Sequence, residues 1–444
     1  MSSTISIIQG DDVITNPIPY SGPPPYIVSI PGIFHKQQSL LKFNEETLSK
    51  HTLLIGGTGC GKTNVFYYFV DQIKQSMSEN DVMVIFDTKG DYYEKFYSEG
   101  DVVIANTNKY NAVSSIWNIY REIAINGWDN REIINNTYEI TRSFFKEAVE
   151  RTQQPFFASA ARDLLSAIII AHIRIGAGSA EFKNLAFNNK SLKHYLDGLS
   201  IEKIEQLLKP FPDLLAVLSY LGKGENNQAL GVLAELQNAM RQILVSNFAE
   251  KGMFSVQEFV RKRNSRTLFI EYDMSIGEVL TPIYRLLFDL ALKEALAQKD
   301  RTGATRGSVY IVCDEFKLLP NLQHIGDGVN FGRGLGIKIW AGLQSIEQLY
   351  EIYGESKAHN IAAGFSSVFS FRANDAKTRQ FTTDLYGKSI VIDQYKTAKG
   401  TISEEKREGN TVEDWVMSTL QRGDAIIGLP EQRPFLFHFD KYLR

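Results

Sequence analysis

A chain of 444 residues, 43 % apolar and 22 % charged, is long enough to bury a large core and has the ordinary composition of a folded protein. Its 48 basic and 51 acidic residues leave a net charge of −3, so no global excess advertises a polyanion partner and any nucleic-acid surface has to be local. Two cysteines, Cys60 and Cys313, are too few for a disulfide framework, and the seven histidines show no metal-ligand spacing. No structural metal is expected beyond a nucleotide's own cation.

The opening MSSTISIIQGDD has acidic residues where a signal peptide needs a basic start and an apolar stretch. The strongest apolar run, residues 164–172, is about half the roughly twenty residues of a membrane-spanning helix. Neither an export signal nor an intrinsic transmembrane segment is therefore expected, and the expected location is cytoplasmic. Residues 1–31 contain the proline-rich NPIPYSGPPPYIVSIP, and proline fixes φ and removes donors, so this segment is expected to be an extended arm.

Short apolar runs without alternation follow at 51–55, 82–87, 102–105, 267–273, 309–314, 337–342 and 367–371. Such runs mark strands buried on both faces, so the fold class is α/β with a predominantly parallel sheet. Between the third and fourth runs the periodicity is helical, as over 158–175 and 226–248. This predicts an all-α insertion domain at 131–255 that interrupts one nucleotide-binding domain made of 32–130 and 256–444. The polar stretch 396–410, KTAKGTISEEKREGN, lacks an apolar face and is expected to be a loop or an exposed hairpin.

The chemistry begins at residues 56–63. GGTGCGKT fits GxxxxGK[ST], directly after the apolar HTLLI and directly before the helix-like NVFYYFVDQIKQ. The loop Gly57, Thr58, Gly59, Cys60, Gly61, Lys62, Thr63 and Asn64 presents backbone N–H groups to phosphate oxygens at a helix N-terminus, where unpaired donors and the helix dipole favour an anion. Lys62 is expected at the β- and γ-phosphates and the Thr63 hydroxyl at Mg²⁺.

A second acidic group is needed at a neighbouring strand end, and VMVIFD (Asp87) and VYIVCDE (Asp314) both offer one. With Asp87, the string DTKGD would have to be a DxxG switch and a TKxD guanine reader at once, and the two overlap. Asp314-Glu315 instead delivers adjacent carboxylates from a buried strand, one for Mg²⁺ and one to orient and deprotonate the attacking water, which indicates ATP hydrolysis. Cys60 and Cys313 are expected to be small packing residues. In FGRGLGIKIWAGLQS, Arg333 and Gln344 sit where a γ-phosphate can be sensed or a transition state stabilised, and equally where a helix-end or surface contact is made. The cluster Arg261, Lys262, Arg263 and Arg266 reads as phosphate contacts or as solvated helix-end charge.

Together HTLLIGGTGCGKT, DTKGDYYEKF, VCDEFKLLPNL and GRGLGIKIWAGLQSIEQLYEIYG resemble the coupling-protein ATPases of type IV secretion and conjugation, the TraG/TraD type within the FtsK/HerA superfamily. The similarity spans roughly 32–430, including QPFFASAARDLLSAIIIAHI at the position of the family's all-α domain. The resemblance implies a RecA-like P-loop motor forming a homo-oligomeric, hexameric ring with ATP and Mg²⁺ at subunit interfaces. It implies catalytic roles for Lys62 and Glu315, with Arg333 as arginine finger and Gln344 as γ-phosphate sensor, and metal binding by Thr63 and Asp314. Implied partners are DNA or a relaxase/protein–DNA substrate, and membrane secretion-channel proteins that would hold the chain at the inner face of the membrane. The sequence departs from the family pattern in showing neither N-terminal membrane helices nor an acidic C-terminal tail. The expected function is an ATP-hydrolysing motor or coupling ATPase. The alternatives are a nucleotide-gated docking adaptor for protein cargo, or a soluble DNA translocase of a mobile element or defence system.

Overall fold

The computed structural model describes every residue except 1–3, 11–21, 108, 129–130, 152–153, 178–186, 223–226, 276, 298–306, 397–400 and 444. Among the described residues the strands are β1 Thr4–Gln9, β2 Tyr26–Phe34, β3 Gln37–Asn44, β4 Thr52–Ile55, β5 Val82–Asp87, β6 Val102–Ile104, β7 Arg266–Glu271, β8 Val309–Cys313, β9 Ile337–Leu343, β10 Ser367–Phe371, β11 Lys388–Lys396, β12 Ile402–Asn410, β13 Asp424–Gly428 and β14 Phe435–Phe439. The chain forms two compact units, Met1–Ile85 with Lys299–Arg444 and Phe86–Gln298.

In the first unit, TLLI of β4, VYIVC of β8, IKIWAGL of β9 and SVFSF of β10 are buried at every position. Apolar side chains on both faces need cover on both faces, and this is why the strands show no alternation. β4 lies parallel between β9 and β10, with Thr52 opposite Trp340 and Ser367 and Ile55 opposite Leu343 and Ser370. β8 continues the parallel array beside β9, and antiparallel strands extend the other side in the order β3-β2-β14-β13-β10. Helix Lys62–Ser76 buries Val65, Phe66, Phe69, Val70 and Ile73. The Phe69 ring meets Phe43, Trp340 and Phe369 at centroid distances of 5.2, 5.7 and 6.3 Å, which anchors the helix to the sheet.

Of the segment 396–410, residues 397–400 lie outside the described residues, and Ile402–Asn410 forms β12, paired with β11 from Lys388↔Asn410 to Lys396↔Ile402. Its polarity is explained by β12, most of whose residues are exposed or half-exposed. β1 pairs with β11. Of the expected N-terminal arm, residues 1–3 and 11–21 lie outside the described residues, while from Tyr26 it forms β2, paired with β3 and β14.

In the second unit β6 and β7 pair in parallel, and the helices Glu132–Arg151, Phe156–Gly176, Asn227–Ile243 and Gly277–Ala297 pack with one another. The helical stretch 131–255 thus shares its unit with β6, β7 and Gly277–Ala297. The apolar run at 164–172 extends into a 21-residue helix, Phe156–Gly176, which by length and composition alone could cross a membrane. Of its most apolar window 67 % is buried against the neighbouring helices. Arg285 on Gly277–Ala297 is 1 % exposed and pairs with Glu147 of Glu132–Arg151.

Glu122 joins separate pieces of this unit. Its fully buried carboxylate accepts from Trp117 Nε1 at 2.9 Å, Ser255 Oγ at 2.9 Å, Gln257 Nε2 at 3.2 Å and the backbone N–H groups of Val256 and Gln257. It thereby serves the first two N–H groups of helix Val256–Lys262, while the Ser255 hydroxyl accepts the Glu258 N–H at 3.0 Å. Burial raises the Glu122 carboxyl, and the donors around it oppose the rise. Glu122→Ala strands several buried donors at about 1–3 kcal/mol each. It is expected to destabilise the protein by about 3 kcal/mol or more, measured by denaturant unfolding, with Glu122→Gln less affected.

His51, 1 % exposed just ahead of β4, accepts the Ile339 N–H through Nδ1 at 3.1 Å. Burial, helped by Lys338 and Arg333, lowers its pKa from 6.5 to about 4. The folded state therefore binds this proton less well than the unfolded chain. Stability from this group is full above about pH 6.5 and falls as pH drops towards 4, by roughly 1.4 kcal/mol per unit. Melting curves over pH 7.5 to about 4.5 should show the decline, and His51→Gln should flatten it.

Candidate functional site

The phosphate loop starts where β4 runs out. The Gly56 N–H donates to the Leu343 carbonyl of β9 at 3.1 Å, and the Gly57 N–H donates to the Arg372 carbonyl beyond β10 at 2.8 Å. A Cβ on Gly56 would fall 2.7 Å from Phe371 Cβ, so only glycine lets the loop lie this close to the neighbouring strand. Gly61 reaches φ +118° just before the helix and has no side-chain cap. The first N–H groups of helix Lys62–Ser76 are thereby left open for an anion.

Lys62 is 6 % exposed, and its Nζ donates to the carbonyls of Gly56 at 2.6 Å and Gly57 at 3.2 Å. Its ammonium is held over the loop by the loop's own backbone. The Thr63 hydroxyl donates to Asp314 Oδ2 at 2.6 Å. A hydroxyl and a carboxylate meeting at the end of a buried strand are hard oxygen donors of the kind Mg²⁺ takes, so these residues fit that cation. Glu315 accepts from Gln344 Nε2 at 3.1 Å, and Gln344 Oε1 accepts from the Thr58 hydroxyl at 3.1 Å. One glutamine amide therefore links the loop to the second carboxylate. Cys60 and Cys313 are buried free thiols, and burial raises both.

Lys62, Thr63, Asp314, Glu315 and Gln344, drawn from separate stretches of the chain, thus meet at the carboxyl ends of β4, β8 and β9. Arg333 does not join them. It lies ahead of the amino end of β9, where its Nη2 is 3.7 Å from Glu46 Oε1, and Glu46 itself precedes β4. The seven residues of β9, at about 3.3 Å each, put Arg333 roughly 20 Å from its own phosphate loop. Asn64 also differs from expectation in what its side chain does. Its Nδ2 donates to the Asp440 carbonyl at 2.8 Å and its Oδ1 accepts the Tyr442 N–H at 2.7 Å. Only its backbone N–H is left to face a phosphate.

The far wall of the loop carries no signal in the sequence. Gly423 N–H donates to the Cys60 carbonyl at 2.9 Å, and Arg372 and Asn374 flank Gly57. These residues follow no motif and reach the loop only because β10 and β13 are neighbours in the sheet.

Asp87, 0 % exposed in the second unit, accepts from the Tyr93 N–H at 2.8 Å and the Lys89 N–H at 3.3 Å. DTKG is thus a turn leading into helix Asp91–Phe96. Nearby Glu271 is pushed up to about 7 by burial, with Asp273 and Asp87 adding to the rise. The basic cluster is engaged in structure. Arg261 pairs with Glu294 through two bonds of 2.9 Å, Lys262 lies 2.6 Å from Glu258, Arg263 is 0 % exposed and the Arg266 guanidinium lies over the Phe259 ring.

Residues 38–418 match the sequence profile of the type IV secretion-system coupling protein DNA-binding domain. The coupling protein TraD of Escherichia coli (strain K12) is 22 % identical over 389 residues, covering 85 % of this chain and 49 % of TraD, so the chain spans about half the length of that relative. Two solved structures have the same fold. Plasmid coupling protein TrwB in complex with the non-hydrolysable ATP analogue ADPNP gives a TM-score of 0.73 at 19 % identity, covering 99 % of this chain and 95 % of that one. TrwB in complex with ADP and Mg²⁺ gives 0.70 at 20 % identity, covering 91 % and 88 %. The profile takes in most of the chain, including Lys62, Thr63, Asp314, Glu315 and Gln344, and the chain belongs to the family of type IV secretion-system coupling proteins.

Proposed function

We propose that this protein is an ATP-hydrolysing coupling motor that recruits or moves DNA, or a protein–DNA substrate, in conjugative or type IV secretion-like transfer. The observation that carries this reading is the convergence of Lys62, Thr63, Asp314, Glu315 and Gln344 on one phosphate loop. Family membership and the nucleotide-bound TrwB neighbours support it.

Lys62 and the open N–H groups of the helix start would hold the β- and γ-phosphates of ATP. Thr63 and Asp314 would hold Mg²⁺, which when bound offsets phosphate charge. Glu315 orients a water in line with the γ-phosphorus and takes its proton as the bond to the bridging oxygen breaks. Gln344, already bonded to both Thr58 and Glu315, is placed to shift when a γ-phosphate arrives. It would couple occupancy of the loop to the position of the base.

Arg333 stands at the edge of the sheet opposite its own loop, so a catalytic part for it requires a neighbouring copy that presents this edge to the loop. This supports a ring of subunits with ATP at their interfaces. Attachment to a membrane would come through secretion-channel partners.

Glu315→Gln is expected to bind ATP with unchanged affinity while turnover falls at least about 100-fold, and Lys62→Ala to lose turnover together with affinity for the triphosphate. In a transfer assay Glu315→Gln should abolish transport. Transport retained by Glu315→Gln would instead favour a docking adaptor set by ATP binding alone. For Arg333, mixing Arg333→Ala with Glu315→Gln should restore part of the turnover that each variant lacks alone, since some interfaces then hold an intact Glu315 and an intact Arg333. A mixture as inactive as its components would exclude action across subunits.

A further inference from the structure

One cation beside the phosphate loop has no task in the scheme above. β10 adjoins β4 on the side away from Asp314, and where it ends the Arg372 carbonyl accepts the Gly57 N–H at 2.8 Å. The same carbonyl lies 3.1 Å from where a Cβ on Gly56 would sit. The backbone of Arg372 is therefore fixed against the first turn of the loop, and its exposed side chain extends from that fixed point.

Two other arginines of this unit are occupied. Arg379 bonds Asp414 at 2.8 Å and the Asn374 carbonyl at 2.6 Å, and Arg407 bonds both Asp393 and Glu413. Arg372 makes no ion pair among the described residues. Its charge is nevertheless felt inside the loop: burial raises the Cys60 thiol, and the positive charges opposing that rise are those of Lys62 and Arg372. An unpaired guanidinium next to a phosphate cradle offers a planar fork that matches phosphate oxygens in pairs, which the point charge of Lys62 does not.

The position along the loop indicates which phosphate is met. Gly57 adjoins Thr58, whose hydroxyl bonds Gln344, and Gln344 bonds Glu315. This end of the loop is the end where water attack is proposed, so the terminal phosphate belongs here. Asp314, Glu315 and Gln344 flank it from β8 and β9, and Arg372 flanks it from β10. We infer that Arg372 is a further phosphate contact of this site, supplied by the chain's own β10 and directed at the terminal phosphate of the bound nucleotide. The inference rests on the proposed ATP site. It assigns Arg372 to the chain's own nucleotide, in contrast to Arg333 at the far edge.

The test is equilibrium binding, by fluorescence anisotropy, of a labelled non-hydrolysable ATP analogue and of labelled ADP, both with Mg²⁺, to the full chain and to Arg372→Ala and Arg372→Lys. The triphosphate analogue should bind Arg372→Ala about tenfold or more weakly, with ADP changed less than about threefold, and Arg372→Lys should lie between. Equal loss for both nucleotides, or no loss for either, overturns the assignment. The bond Arg372 makes in the fold uses its carbonyl, which every substitution keeps, so the melting temperature should not move. If Arg372→Ala does melt lower, Arg372→Met, similar in reach and uncharged, gives the same reading. Binding needs neither DNA nor turnover. A negative result here leaves the motor reading standing, and a motor that ignores DNA leaves this binding difference measurable.

Discussion

Two main-chain hydrogen bonds hold the site in place: Gly56 N–H to the Leu343 carbonyl and Gly57 N–H to the Arg372 carbonyl. They tie the loop after β4 to the ends of both flanking strands, so the sheet positions a loop whose glycines permit the close approach. Because β4 has parallel partners on both sides, the carboxyl ends of β8, β9 and β10 all open at one edge. That edge is where open α/β sheets take their ligands. Everything with a chemical part in the site hangs from these ends, and lengthening or bending one strand would move a carboxylate, an amide or a guanidinium relative to the phosphates.

The same sheet separates two kinds of positive charge. Lys62 is pinned inward by loop carbonyls and Arg372 is anchored at the loop's rim, both at the carboxyl edge. Arg333 rests near Glu46 at the amino edge, on an ion pair 3.7 Å long between half-exposed side chains, a contact too weak to hold it against a stronger anion. A parallel sheet cannot bring its two edges together within one chain. A catalytic part for Arg333, as proposed, therefore requires a neighbouring copy of the chain.

The loop and its carboxylates were legible in the sequence because a phosphate cradle needs glycine, lysine and threonine at fixed spacing, and because Asp314-Glu315 ends an unbroken apolar run. The parallel strands were legible for the same reason, as burial on both faces removes alternation. What the sequence could not convey was contact between distant segments. Arg372 and Gly423 carry no local pattern, and they reach the loop because β10 lies next to β4 and β13 next to β10. Asn64 looks like a loop donor by position, yet its amide is taken up by the backbone of Asp440 and Tyr442, hundreds of residues away. The basic run at 261–266 looks available by composition, but Glu294, Glu258 and Phe259 occupy its side chains. The helix Phe156–Gly176 was legible over 158–175 from its periodicity, while its strongest apolar run is shorter because small and polar residues dilute its ends.

The central claim is that ATP turnover at Lys62, Glu315 and Gln344 is built across subunits and coupled to DNA. Steady-state ATPase activity of the purified chain, over a protein concentration series with and without single- and double-stranded DNA, addresses it most directly. A motor built this way shows a specific activity that rises cooperatively with protein concentration and rises further with DNA. A specific activity that is constant across the series and indifferent to both forms of DNA would contradict it.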